Sequence, residues 1–106
     1  MRITRRGLAS LAFAAAAVPA RAAMPPWIDA HAHAFVRGLK LAVDARYAPT
    51  YDAAWETLLK LAETNGVGRT VLLQPSFLGY DNSYLFDALK AAPQRFRGVP
   101  WISPSV

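Results

Sequence analysis

Two stretches of helical periodicity separate three short runs of strand character, and this alternation restricts the chain more than its composition does. The first run is Trp27-Ile28-Asp29-Ala30-His31-Ala32-His33. The second, Thr70-Val71-Leu72-Leu73, is apolar, β-branched at its start and closed by Pro75, as in a buried strand of a parallel sheet. The third is read as Phe96 to Ile102, interrupted by Gly98 and Pro100. Between the first two, Trp55, Leu58, Leu59 and Ala62 fall at the i, i+3, i+4, i+7 spacing of one helical stripe. Thr50 or Asp52 is the expected N-cap, and Asn65-Gly66 the expected stop. A second helix is predicted from about Tyr84 to Ala92, with Leu85, Ala88 and Leu89 inward. Asp81, Asn82 or Ser83 would cap it and Pro93 would end it. Phe35 to Pro49 and Ser76 to Tyr80 read as loops, and Trp55 and Trp101 as core residues. The order is β-α-β-α-β, an α/β chain whose parallel strands are joined by crossover helices.

The 106 residues contain no cysteine, which excludes disulfides, thiolate metal sites and cysteine nucleophiles. A formal charge of +5 would suit a nucleic-acid partner if it formed a stripe on the folded domain. It does not, because Arg2, Arg5, Arg6 and Arg21 precede the first acid, and basic and acidic residues nearly balance from residue 23 onward. Residues 1–22 read as an export signal. A basic start leads into the apolar run Leu8 to Val18, then Pro19 and the small-x-small Ala20-Arg21-Ala22. The run is shorter than the roughly 20 residues a membrane span needs, so no stable span is expected after cleavage near Ala22. Thr4-Arg5-Arg6-Gly7-Leu8 resembles a twin-arginine signal. The expected location of the mature chain, residues 23–106, is therefore periplasmic or secreted.

His31 and His33 are the only histidines. On a strand, residues i and i+2 point the same way, about 7 Å apart along the backbone. Simple alternation puts Asp29, His31 and His33 on one face, with Ile28, Ala30 and Ala32 on the other. Neutral imidazole is the commonest metal ligand, and it can also polarise a carbonyl or move a proton. Asp29, one pleat deeper, is placed to orient a ring or a neighbouring strand.

Ile28-Asp29-Ala30-His31-Ala32-His33 resembles the first-strand motif of the amidohydrolase superfamily. The likeness continues through Arg46-Tyr47, Gly68-Arg69-Thr70-Val71-Leu72-Leu73-Gln74-Pro75-Ser76 and Gly79-Tyr80-Asp81-Asn82. It ends with Leu89, Ala91-Ala92-Pro93 and Arg97-Gly98-Val99. Together these resemble the branch containing 2-pyrone-4,6-dicarboxylate hydrolases and sugar lactonases. The resemblance implies a TIM-like (β/α)₈ barrel and hydrolysis of a small-molecule lactone or related carbonyl compound. His31 and His33 match the paired catalytic histidines. These bind one divalent, zinc-like metal ion in many branches, and in the pyrone-dicarboxylate branch hold and polarise substrate without an obligatory metal. Tyr47 and Ser76 match positions that help hold anionic substrate groups.

A complete barrel takes about 250 residues. The expected fold is therefore its truncated N-terminal portion, and this chain alone is expected to be inactive. The family's later-strand histidines and its water-activating eighth-strand aspartate have no counterpart here. Two other readings remain at this point: a metal-dependent decarboxylase of the same superfamily, and a small exported βα module that binds a metal or a protein without catalysis.

Overall fold

The structure, a computed structural model, describes residues 23–105; the signal reading falls on residues 1–22, outside them. Strand β1 spans Trp27–Ala32, helix α1 Trp55–Thr64, strand β2 Val67–Leu73, helix α2 Ser83–Ala91 and strand β3 Phe96–Val99. A single 3₁₀ turn, Ser76–Leu78, follows β2. The sheet has the order β1-β2-β3, and both pairings are parallel. Among the described residues, no helix is long and apolar enough to cross a membrane.

Both helices lie on one face of this sheet. Leu72 and Phe96 are fully buried there, with Ala34, Leu85 and Ala88. Each such large side chain contributes about 1.5–3 kcal/mol by leaving water. The α1 stripe packs on the same cluster through Trp55, Leu58 and Leu59, the face its spacing marks out. Leu89 Cδ1 lies only 2.8 Å from where a Cβ on Gly98 would sit, so the glycine lets α2 rest close against β3. The opposite face carries Arg69, Val71, Leu73, Arg97 and Val99, none of them buried.

Strand β1 departs from simple alternation. Asp29 pairs with Thr70 and Ala32 with Leu72, so three steps along β1 match two along β2. This bulge reverses the facing of the side chains. Asp29 therefore opens beside Thr70 and the α1 residues Leu58, Leu61 and Ala62, while His31 and His33 open on the helix-free side. The expectation that Asp29 shares the histidines' face is corrected accordingly.

Three boundaries also differ from the pattern. Strand β2 begins at Val67, because Arg95 holds the Val67 and Gly68 carbonyls at 3.1 and 2.7 Å. Strand β3 stops at Val99, since Pro100 has no N–H to continue the ladder. Neither Thr50 nor Asp52 caps α1. Asp52 instead accepts from Arg37, from its backbone N–H at 2.7 Å and its Nε at 3.2 Å, and the Arg37 bonds hold its carboxyl below the usual range. The Tyr84 hydroxyl of α2 accepts from the Trp55 N–H at 3.2 Å. The stop is as expected: Asn65 is the C-cap, and Gly66 has φ +70°, where a side chain would be strained.

A second cluster fixes the long loop between β1 and α1. Phe35, Phe77 and Leu78 are buried, with Leu39, Ala45 and Ala53 against them. Phe35 and Ala53 exchange backbone hydrogen bonds of 2.9 Å, and the Ala42 N–H donates to the Phe77 carbonyl at 2.8 Å. The loop is thereby tied to the 3₁₀ turn after β2, on the side where the strands end.

Candidate active site

A hollow of about 390 Å³ opens at the C-terminal ends of the strands, and His31, His33, Tyr47 and Ser76 all line it. The four candidate residues, spread over forty-six positions of sequence, thus meet in one place. This is the end of a parallel βα sheet where barrel enzymes keep their chemistry.

Strand β1 delivers His31 at its penultimate position, and His33 follows its last residue. The Asp29 carboxylate accepts from the His31 backbone N–H at 3.1 Å, so Asp29 steadies the main chain, and it makes no hydrogen bond to either ring. His33 Nδ1 lies 2.9 Å from the Leu73 carbonyl at the end of β2. A carbonyl can only accept, so Nδ1 of neutral His33 carries the proton and Nε2 presents a lone pair. His31 Nε2 sits 3.3 Å from that Nε2, with the two rings nearly perpendicular at 81°. The His31 nitrogen can donate to its neighbour, or both lone pairs can converge on a shared ligand.

The spacing suits a metal ion. Two nitrogens each about 2.0–2.1 Å from a tetrahedral zinc stand ~3.3 Å apart, matching the observed separation. The Leu73 carbonyl supplies the kind of outer contact that would fix a ligating ring. No group of three or more His, Cys, Asp or Glu residues arranged for a metal occurs among the described residues; a metal ion held here would take two ligands, His31 and His33, from this segment.

Aromatic packing sets the walls. The Tyr47 and Phe77 ring centroids are 5.2 Å apart, and Phe77 meets Phe35 edge-on at 5.2 Å. Tyr47 packs on Phe77, remains 60% exposed and lines the hollow. Ser76 begins the 3₁₀ turn after Pro75 and is also exposed. Gln74 beneath it is buried. Its Nε2 donates to the Gly79 and Asp81 carbonyls at 3.1 and 2.8 Å, and its Oε1 has no partner among the described residues.

Trp101 belongs to this wall and not to the core expected for it, being 43% exposed at the edge of the hollow. Asn82 holds it there. The Asn82 Nδ2 donates to the Trp101 carbonyl at 2.9 Å, and the Trp101 N–H donates to Asn82 Oδ1 at 3.0 Å. Asn82 is the N-cap residue of α2, but its side chain makes no capping bond. The Asp81 carboxylate does so instead, accepting from the Ser83 N–H at 3.1 Å and from its hydroxyl, which lowers the Asp81 pKa. Nothing in the sequence distinguishes Asn82 from an ordinary cap candidate; its partner lies nineteen residues on.

The amidohydrolase family profile matches residues 28–106. A 2-pyrone-4,6-dicarboxylate hydrolase from Comamonas testosteroni is 33% identical over 81 residues, covering 74% of this chain and 26% of that protein. This chain therefore spans about a quarter of that curated relative. A solved structure described as a probable 2-pyrone-4,6-dicarboxylic acid hydrolase from Acinetobacter baumannii, with citric acid bound, superposes with a TM-score of 0.72. It is 32% identical, over 76% of this chain and 30% of that one. A Pseudomonas putida protein provisionally assigned the same activity is 49% identical with a TM-score of 0.66, over 74% of this chain and 29% of that one.

Proposed function

Because this chain belongs to the amidohydrolase family, we propose that it forms the opening part of the active site of an exported hydrolase. The substrate class is a lactone or related carbonyl compound bearing carboxylate, as the names of the relatives suggest. The observation that carries this reading is the convergence of His31 and His33 Nε2 at 3.3 Å, in a hollow that Tyr47 and Ser76 also line.

Ester hydrolysis needs a polarised carbonyl, a positioned water and a base. His31 and His33 serve the first need. A divalent cation held by their Nε2 atoms would set positive charge against the oxygen that becomes negative. Without one, a proton on His31 Nε2 is a donor for the same oxygen. In either case Leu73 keeps His33 in one tautomer, so the lone pair of Nε2 stays on the hollow side. The Tyr47 and Ser76 hydroxyls are donors for a substrate carboxylate. Asp29 is not the water-activating base, since it opens on the helix side of the sheet. That group, and any further metal ligands, would come from later strands, so residues 23–106 alone should not turn over. The basic leader supports export to the periplasm or beyond.

A chimera tests the reading. Residues 28–106 replace the corresponding segment of the Pseudomonas putida relative, and hydrolysis of 2-pyrone-4,6-dicarboxylate is followed by loss of pyrone absorbance. The folded chimera should be active, and His31→Ala or His33→Ala should lower kcat/KM by about 10²-fold or more. A folded but inactive chimera, or histidine variants that retain full activity, would refute it. Metal analysis of the active chimera separates metal-assisted from metal-free chemistry.

A further inference from the structure

Trp101 also lines a second hollow, of about 320 Å³, that neither histidine lines. Its floor is apolar and includes Ala42, Leu78 and Gly79. A Cβ on Gly79 would come within 2.9 Å of the Ala42 Cβ, so the loop after β1 rests directly on the turn after β2. Tyr80 and Trp101 form the walls, and both rings are about half-exposed. Side-chain amides hold the main chain that carries them. Gln74 Nε2 donates to the Gly79 and Asp81 carbonyls, and Asn82 Nδ2 to the Tyr80 and Trp101 carbonyls at 3.1 and 2.9 Å. Three consecutive carbonyls are thus fixed, and one amide holds both aromatic residues. Rings ordered in advance lower the entropy cost of binding. The rim carries Lys40, Asp44 and Asp81. Asp81 is already engaged: its bonds from Ser83 first, and the Lys40 charge to a lesser extent, hold its carboxyl below the usual range. Asp44 is exposed and makes no side-chain hydrogen bond or ion pair among the described residues. With Lys40 offset by Asp81, one negative charge is left over at the rim.

We infer that Tyr80, Trp101 and Asp44 form a binding site for a small quaternary ammonium ion. The two ring centroids are 6.0 Å apart and their planes are tilted by 50°. A cation about 6 Å from each centroid, still within reach of a ring face, completes an equilateral triangle with them. Two faces aimed at it then meet at about 60°, close to the observed tilt. Ring quadrupoles and an unpaired carboxylate both favour positive charge. A fully alkylated head carries methyl groups and no N–H, so it leaves no donor unsatisfied against Ala42 and Leu78, whereas a primary ammonium does. The site stands apart from the dihistidine chemistry and does not depend on it; Trp101 is the wall they share.

The test uses the full 106-residue chain at constant ionic strength, with three probes: choline chloride, its neutral isostere 3,3-dimethylbutan-1-ol, and ethanolamine as the primary ammonium. Binding is followed by tryptophan fluorescence and NMR. Wild type should bind choline about 5- to 30-fold more tightly than the isostere, the range that cation–π attraction supports, and more tightly than ethanolamine. Trp101→Leu and Tyr80→Leu should each weaken choline by about 5-fold and leave the isostere less affected. Asp44→Asn should weaken choline, and Lys40→Gln should strengthen it. Circular dichroism checks that each variant keeps its fold. If an aromatic variant fails to fold, Asp44→Asn and Lys40→Gln carry the decision, since both side chains are exposed; choline affinity unchanged in both overturns the inference. Choline that binds wild type no better than the isostere or ethanolamine, or that does not bind at millimolar concentration, overturns it as well.

Discussion

Replacing Tyr84 with Phe should destabilise the fold more than removing Thr50, one of the two residues that the sequence nominates as the α1 cap. The substitution deletes one oxygen and keeps the ring. That oxygen accepts from the Trp55 N–H at 3.2 Å, in the first turn of α1, where backbone donors have no intrahelical partner. Losing a side-chain cap costs about 0.5–2 kcal/mol, and a neutral hydrogen bond contributes a net ~0.5–1.5 kcal/mol. The bond is long for its type and Trp55 is only half-buried, so water replaces part of it. These considerations place the loss at about 1 kcal/mol. With a urea m-value of about 2 kcal/mol/M, the midpoint should fall by ~0.5 M. The assay is equilibrium urea unfolding followed by far-ultraviolet circular dichroism. Tyr80→Phe is the control, because its hydroxyl makes no hydrogen bond within the described residues and its ring is exposed. Thr50→Ala should leave the midpoint nearly unchanged. The reasoning is refuted if Tyr84→Phe matches the Tyr80→Phe control, or if Thr50→Ala shifts the midpoint further than Tyr84→Phe does.

Asn82→Ala should release Trp101 from the wall, seen as greater acrylamide quenching of tryptophan fluorescence; unchanged quenching would contradict the pinning. Gly66→Ala should cost roughly 1–2 kcal/mol in urea unfolding, because φ is +70° and a Cβ there meets open space, leaving only backbone strain. Stability should fall on acidification. Asp52 and Asp81 have folded pKa values below the ordinary 3.8, through Arg37 and Ser83 respectively. Their contribution is complete above 3.8 and is lost as pH drops through the lower folded values. The Asp52→Asn, Asp81→Asn double variant should show a flatter acid limb, and an unaltered slope would count against both interactions.

Features governed by near neighbours were legible in the sequence. The Val71-Leu72-Leu73 run, the Trp55-Leu58-Leu59 stripe and the Asn65-Gly66 stop all act within one or two turns of chain, where spacing fixes the outcome. The convergence of His31, His33, Tyr47 and Ser76 came from family likeness, since no periodicity brings a loop tyrosine beside a strand histidine. What escaped depends on partners far along the chain. The cap on α1 comes from a hydroxyl twenty-nine residues away. Asn82 has the composition of a cap and the role of a clamp. Trp101 reads as core because tryptophan is apolar, yet it follows a proline that ends β3 and stands beyond the sheet. Asp29 illustrates the sharpest limit: alternation assumes an unbroken pleat, and the bulge between Asp29 and Ala32 breaks it.

The clamp between Asn82 and Trp101 has a mechanical meaning. Its paired N–H and carbonyl contacts let one side chain imitate a short rung of strand pairing, bolting the start of α2 to the rim past β3. A tilt of α2 would therefore carry with it the indole at the edge of the dihistidine hollow.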